Sequence, residues 1–233
     1  PPQSKDARVL AAAGFDMACT LYSNVSYAIL QVIKYEPLGG PAFIWSLEWS
    51  ADSSRLCVGC WNSQAYIYAY DSAAADLDAT RAALTQVCKV KREDRVYAVG
   101  MDAKGEYMVV GGRDKKIAMY DVDRGEGRAN PTAPVDAMLQ WEVMSEDFVY
   151  CVALSHDMQY VAYGGTAKKA VVLSARSGTV LFELPQPGVI WSVALLEMAK
   201  GLDKGWQLAV GGELPVISVK IESHPDPPCP PHA

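Results

Sequence analysis

The chain has 233 residues, enough to bury a sizeable core in one large domain or two small ones. Half of the residues are hydrophobic and 21% are charged, which is ordinary for a soluble globular protein. The net charge of −6 disfavours nucleic acid and anionic lipid as partners, because both are bound by basic surfaces, and no apolar run is long enough to predict a membrane span.

A step of two small residues recurs along the chain and ends a short apolar run each time. The steps are Ala13-Gly14, Gly59-Cys60, Gly111-Gly112, Gly164-Gly165 and Gly211-Gly212, and their second positions lie 46, 52, 53 and 47 residues apart. Self-similarity with a period of about 50 residues is typical of repeat architectures built from one supersecondary unit. The sequence therefore predicts an array of similar units.

Each unit reads as four short strands, which we name a to d in chain order. The apolar run before the small step is strand b, and strands c and d follow it with alternating apolar residues. Strand a precedes strand b in four units with the pattern β-branched, aromatic, small, aliphatic. This pattern occurs at Ile44–Leu47, Val96–Val99, Val149–Val152 and Ile190–Val193. Turn residues such as Ser, Asp and Gly separate strands a and b, as hairpins require.

Four-stranded units of this kind are the blades of a β-propeller, and their sequence resembles the WD-repeat (WD40-like) family. The resemblance covers about residues 8 to 221. It is strongest from Val96 to Gly125, where Tyr120-Asp121 stands at the place of the family's Trp-Asp dipeptide. The other repeats lack this Asp, and no His precedes strand a, so the buried Asp-His hydrogen-bond network of strong family members is not expected. The fold class we predict is all-β, a β-propeller of four-stranded antiparallel blades.

The blades are expected at about 8–35, 43–90, 95–144, 148–184 and 189–221, within a propeller segment at 1–224. The first blade shows no strand a, and the last shows no strand d before the proline-rich run 225–233, which is predicted to be a disordered tail. Because whole four-stranded blades do not account for the strands, we expect four to five blades that form an incomplete ring or part of a larger propeller.

The aromatic residue of strand a is the first candidate for a binding role. It is Trp45, Tyr97, Tyr150 or Trp191, according to the blade. The resemblance implies that this position lies near the rim of the central channel, on the face that the family most often uses for partners. Rigid aromatic side chains with a polar tip are favoured at binding hot spots. Packing of the innermost strand is the alternative interpretation for any one of them.

Basic residues in the connections that emerge on the same face are the second candidate. The set consists of Arg92, Arg95, Arg113, Lys115 and Lys168. Arg and Lys clusters suit acidic or phosphorylated peptides, although a solvated charged rim would give the same pattern. The predicted partner-binding site consists of these five residues together with the four aromatic residues.

No catalytic residue, cofactor site or metal site is predicted. The six cysteines share no position in the repeats, and Cys57 and Cys60 lie three apart in a strand, where side chains point to opposite faces. Neither of them has the setting of a redox motif.

The sequence thus favours a non-enzymatic scaffold that binds a protein or peptide on the channel face. The alternative is a structural or accessory subunit of a large assembly, and a propeller enzyme is less favoured. Self-association or further blades that complete the ring are expected among the partners, without nucleic acid or membrane insertion. A cytoplasmic location is expected, because free thiols are typical of reducing compartments.

Overall fold

The computed structural model describes residues 9–38, 40–71, 83–126, 135–198, 205–213 and 216–221. The described residues form 18 strands and no helix, which confirms the predicted all-β, propeller-type fold. The predicted tail at 225–233 and the first residue of the first predicted blade lie outside the described residues.

The strands fall into five antiparallel units that follow each other along the chain, and we number these units as blades 1 to 5. Blade 1 consists of Val9–Ala13 (β1), Ala18–Ser23 (β2) and Ile29–Lys34 (β3). Blade 2 consists of Ile44–Trp49 (β4), Arg55–Cys60 (β5), Gln64–Tyr70 (β6) and Leu84–Lys91 (β7). Blade 3 consists of Val96–Met101 (β8), Tyr107–Gly112 (β9), Lys116–Glu126 (β10) and Val135–Met144 (β11). Blade 4 consists of Val149–Leu154 (β12), Tyr160–Gly165 (β13), Lys169–Ser174 (β14) and Val180–Pro185 (β15). Blade 5 consists of Ile190–Glu197 (β16), Trp206–Gly212 (β17) and Ile217–Ile221 (β18).

Blades 2 and 3 are joined into one eight-stranded sheet, which the sequence did not predict. Their outermost strands, β7 and β11, pair in parallel at Val135↔Cys88 and Asp136↔Lys89. Strand β11 has ten residues, whereas the outer strand of blade 4 has six. The extra length of β11 carries its first residues to the edge of the neighbouring blade.

The blades pack face to face through four apolar clusters, one at each junction between consecutive blades. Leu21 of blade 1 shares a cluster with Leu56 of blade 2, and the next three junctions are filled in the same way. Burial of apolar surface stabilises such contacts by roughly 25 cal/mol per Å². Apolar packing between blades is the main stabilising interaction expected for repeats that lack the buried Asp-His hydrogen-bond network.

The small-residue step is needed because the next blade lies directly above it. A Cβ atom on Gly164 would come within 2.6 Å of Cγ2 of Ile190, and one on Gly59 within 3.0 Å of Cγ1 of Val96. Both neighbours are the first residues of strand a in the following blade. A glycine at this place lets two sheets approach closely, which explains the periodic signal in the sequence.

Candidate functional site

The aromatic residue of strand a lies at a break in strand register in every blade that has this strand. In blade 2, Ile44 pairs with Cys60 and Ser46 pairs with Gly59, so Trp45 has no partner of its own. The pairs of strands a and b in blades 3, 4 and 5 skip Tyr97, Tyr150 and Trp191 in the same way. A bulge re-aims the side chain of the extra residue and is common beside functional sites.

The bulged residues form part of one continuous row of aromatic rings, which we call the aromatic band. Its members are Phe15, Phe43, Trp45, Trp61, Tyr97, Tyr150 and Trp191. Trp45 stacks on Trp61 at 5.2 Å between ring centroids, and Tyr97 meets Tyr150 edge to face at 5.3 Å. All five blades contribute to the band, so the structure brings the four predicted aromatic residues together.

The two ends of the band are open to solvent, while its middle is covered. Phe15 is 64% exposed, Trp45 is 46% exposed and Trp191 is 54% exposed, whereas Tyr97 is 9% exposed. Burial, followed by the effects of Tyr97 and Asp147, raises the pKa of Tyr150, so its ring remains a neutral phenol at neutral pH. The band therefore offers an uncharged aromatic surface.

Sequence reasoning did not assign Phe15, Phe43 and Trp61 to this site. Phe15 and Trp61 each follow the small-residue step directly, and Phe43 directly precedes strand a. The only signal in the sequence was an aromatic residue directly after the small-residue step or directly before strand a. No aromatic residue recurs at both positions in every blade, because Arg113 and Glu213 follow the step in blades 3 and 5 and Arg95 precedes strand a in blade 3.

The predicted basic residues Arg95, Arg113 and Lys115 lie beside aromatic rings. The guanidinium of Arg95 lies 4.5 Å from the ring centroid of Trp61, within the range of a cation–π contact. Arg113 and Lys115 lie 5.7 and 5.5 Å from the ring of Phe148. Arg95 therefore contacts a ring of the aromatic band, whereas Arg113 and Lys115 contact Phe148, which is not a member of the band.

Two of these three cations are already compensated by acidic neighbours. Arg113 pairs with Asp94 at 3.7 Å, and Lys115 pairs with Asp147 at 3.0 Å. The hydrogen bond from Lys115 holds the pKa of Asp147 below its ordinary value. The backbone N–H of Arg95 donates to Asp94 at 2.7 Å, but its guanidinium has no acidic partner among the described residues. Arg95 is therefore the cation of the band whose charge is left for a ligand.

Lys168 occupies the tip of the turn between strands b and c of blade 4, where its side chain is exposed. Its backbone has a φ of 57°, and Lys115 has a φ of 61° at the equivalent place in blade 3. No acidic partner of Lys168 lies in the described part of the chain. No ring contact joins Lys168 to the aromatic band, so we assign it to the exposed surface around the band.

Arg92 does not belong to the exposed set with which the sequence grouped it. It is 6% exposed, and its Nε donates to Asp114 at 2.9 Å while Nη1 donates to the Tyr120 hydroxyl at 2.9 Å. Nη1 also reaches Glu142 at 3.3 Å, and Nη2 reaches the Lys116 carbonyl at 3.3 Å. A buried guanidinium bonded on all sides holds the strands of blade 3 together and has no free donor on the rim.

The described residues contain no group of three or more His, Cys, Asp and Glu side chains that could hold a metal ion. The five described cysteines are free and buried, and Cys57 and Cys60 lie in different core clusters, on opposite faces of their strand. No helix that could cross a membrane is found in the described part of the chain.

Comparison with known proteins identifies one repeat. Residues 34–68 match the family model described as "WD domain, G-beta repeat", and this match runs from the end of β3 through β4 and β5 into β6. Comparison with curated proteins gives no match. Residues 34–68 are thus similar to one repeat of that family, which supports the resemblance seen in the sequence, and the other blades share the strand order of this repeat.

Proposed function

We propose that this chain is a non-enzymatic scaffold that binds a protein or peptide partner on the aromatic band. The observation that carries the proposal is the band itself, because Phe15, Trp45 and Trp191 remain about half or more exposed within an otherwise packed row of rings. WD repeats on a propeller-type fold support a protein-interaction scaffold in general. The particular face is our inference.

The band is suited to binding because its rings are held in place before a partner arrives. Each bulged aromatic residue touches a ring of a neighbouring blade, at 5.1 Å for Tyr150 and Trp191 and 6.0 Å for Trp45 and Tyr97. Side chains that are already ordered lose little entropy on binding. Large rigid aromatic residues of this kind dominate the energy of many interfaces.

The charges around the band favour a ligand that combines an apolar anchor with an acidic group. Arg95 presents an uncompensated guanidinium beside Trp61, at the exposed end of the band near Trp45. Guanidinium groups bind carboxylates and phosphates through paired hydrogen bonds. We therefore infer a peptide with an aromatic or aliphatic side chain next to an Asp, Glu or phosphorylated residue.

The test is selection of peptides from a random display library on the intact chain, followed by affinity measurement on variants. The double variant Trp45→Ala/Trp191→Ala should bind the selected peptides at least tenfold more weakly, because two exposed ring anchors are lost. Arg95→Gln should weaken acidic peptides and leave neutral ones unchanged.

The matched control is Tyr27→Asn, which removes an aromatic side chain that is 75% exposed in the turn between β2 and β3 of blade 1. Asn tolerates the positive φ of 57° at this position. Full binding by the double variant, or equal loss in the control, would contradict the proposed face.

A second candidate function, a subunit of a larger assembly, is favoured by the outer face of blade 1. Ile29 is 56% exposed and Val32 is 47% exposed on β3, opposite the face that packs on blade 2. Light scattering on the wild type and on Ile29→Lys/Val32→Lys would test it. Association that disappears in the variant would support this candidate, and a monomeric wild type would argue against it.

A further inference from the structure

Trp61 lies where the aromatic band meets the cation that the proposed ligand uses. Its ring stacks on Trp45 at 5.2 Å and meets Phe43 at 5.5 Å and Tyr97 at 6.0 Å between ring centroids. The guanidinium of Arg95 lies over the same ring, 4.5 Å from its centroid. One indole thus contacts both the apolar surface and the charged group of the binding face.

The backbone holds the ring and the cation close to each other. Trp61 lies in the turn between β5 and β6. This turn is bonded to the connection that carries Arg95, because the N–H of Arg92 donates to the Ser63 carbonyl at 2.8 Å. The carbonyl of Arg95 accepts the N–H of Arg113 at 2.9 Å, which fixes that connection to blade 3. The contact between the two side chains therefore needs little further ordering of the chain.

The acidic residue next to Arg95 does not occupy its guanidinium. Oδ1 of Asp94 accepts the backbone N–H of Arg95 at 2.7 Å, and Oδ2 lies 3.7 Å from Nε of Arg113. Both carboxylate oxygens of Asp94 thus have other partners. A guanidinium carries five N–H donors, and that of Arg95 has no hydrogen-bond acceptor in the part of the chain that the structure describes. The cation over Trp61 keeps its donors for a ligand.

The indole N–H of Trp61 indicates that this side chain serves through its ring face. Nε1 is buried and finds no hydrogen-bond acceptor among the described residues. A buried donor without an acceptor costs free energy and is rare in folded proteins. A phenyl or aliphatic side chain would avoid this cost, but Trp attracts a cation more strongly than any other aromatic residue. The contact with Arg95 accounts for an indole at this position.

We infer that Trp61 is a positioning residue, whose ring holds the guanidinium of Arg95 and thereby sets the preference of the aromatic band for an acidic ligand. The inference rests on the proposed function, in which the ligand combines an apolar anchor with an acidic group. A guanidinium that already lies on a ring loses less freedom when it pairs with a carboxylate or phosphate. The ring therefore increases the affinity for acidic peptides more than the affinity for neutral ones.

The quantity to measure is the acid preference, which is the affinity for a display-selected acidic peptide divided by that for the same peptide with Gln or Asn at the acidic position. For the wild type we expect a ratio of about ten or more, because hydrogen bonds to charged groups are strong. Trp61→Leu stays apolar but has no ring face, and should lower the ratio about fivefold. Trp61→Phe should give an intermediate ratio. A structural role alone would weaken both peptides equally and leave the ratio unchanged, which would overturn the inference.

Two further variants separate this inference from the proposed function. If the ratio falls to about one in Arg95→Gln but is unchanged in Trp61→Leu, Arg95 binds the acid without the ring, and only the inference fails. If Arg95→Gln leaves the ratio unchanged, the acidic site of the proposed function is itself wrong. The matched control is Phe148→Leu, which removes a ring that contacts Arg113 and Lys115. It should keep the ratio of the wild type, and a fall equal to that of Trp61→Leu would overturn the inference.

NMR spectroscopy tests the contact in the free protein, so the inference stays falsifiable if Trp61→Leu does not fold or no peptide is selected. The ring current of Trp61 should shift the Hε signal of Arg95 upfield in the wild type. Trp61→Phe should reduce this shift, because a phenyl ring carries a weaker current than an indole. Arg95→Lys lacks the Hε proton and assigns the signal. An Hε signal at its ordinary position in the wild type would overturn the inference.

Discussion

Tyr150 and Trp191 stack face to face across the junction of blades 4 and 5, with ring centroids 5.1 Å apart and ring planes 5° from parallel. Both residues lie at the bulge of their strands a, so two consecutive blades aim equivalent side chains at each other. The stack orders the most exposed strand-a aromatic residue, Trp191, by fixing one of its faces and leaving the other to solvent. This arrangement suits the binding surface that we propose.

The stack should contribute to stability beyond the area that each ring buries. In a double-mutant cycle of Tyr150→Ala and Trp191→Ala, we expect a coupling energy of about 0.5–1.5 kcal/mol, the range for aromatic pairs. Urea unfolding of the four proteins measures it. Tyr150→Phe keeps the ring and should keep most of the coupling, and strict additivity of the two alanine variants would contradict a stabilising stack.

Arg92 should act as a structural residue of blade 3. Arg92→Ala leaves the carboxylate of Asp114, whose side chain is 2% exposed, buried without its cation, and should destabilise the fold by about 3–5 kcal/mol. Lys115→Ala breaks an ion pair whose side chains are 43% and 40% exposed, and should cost less than about 1 kcal/mol. Chemical unfolding curves compare the two.

The double variant Arg92→Met/Asp114→Leu tests whether the destabilisation caused by Arg92→Ala comes from the unpaired charge of Asp114. Because it removes both charges, it should regain a large part of the stability lost in Arg92→Ala. A double variant as unstable as Arg92→Ala would show that the cost lies elsewhere, in the bonds of Arg92 to Tyr120 and Glu142.

The fold was predictable from the sequence because its determinants repeat. A small residue recurs where each blade packs on the next, and an aromatic residue recurs at the bulge of every strand a. The role of Arg92 was not predictable, because its partners Asp114, Tyr120 and Glu142 lie 22 to 50 residues away and occur once. The place of Phe15 in the aromatic band was not predictable either. It depends on contacts with Phe43 and Trp61 of the neighbouring blade, and no local sequence pattern indicates such contacts.

Two glycines at the second position of the small-residue step should respond to the same substitution to different degrees. Gly112→Ala places a methyl group against the carbonyl of Arg95 and should destabilise the fold by about 1–3 kcal/mol, the usual cost of overpacking. Gly14→Ala has no described atom within 4 Å of the new methyl group and should change stability by about 0.5 kcal/mol or less. Thermal or urea unfolding of both variants is the measurement, and equal costs would contradict the difference in packing between the two positions.

The stability of the fold should depend on pH through the carboxyl group of Glu48. Its carboxyl lies between β4 and β8, where burial raises its pKa from 4.5 to about 8 and a backbone hydrogen bond from Met101 only partly opposes this effect. The native state therefore binds a proton that the unfolded chain releases between about pH 5 and 8. Because stability falls with pH wherever the native state binds more protons, this group weakens the fold progressively across that window.

Replacement of Glu48 by Gln removes the titratable carboxyl group, so residue 48 no longer binds or releases a proton in this pH range. Glu48→Gln should therefore show a flatter dependence of the unfolding midpoint on pH between about 5 and 8, and should exceed the wild type most at pH 8. The control is Asp147→Asn, because the hydrogen bond from Lys115 lowers the pKa of Asp147 and keeps it charged throughout this window. Parallel pH curves for the wild type and Glu48→Gln would show that the Glu48 carboxyl is ionised in the folded protein at neutral pH, and that water reaches the junction of blades 2 and 3.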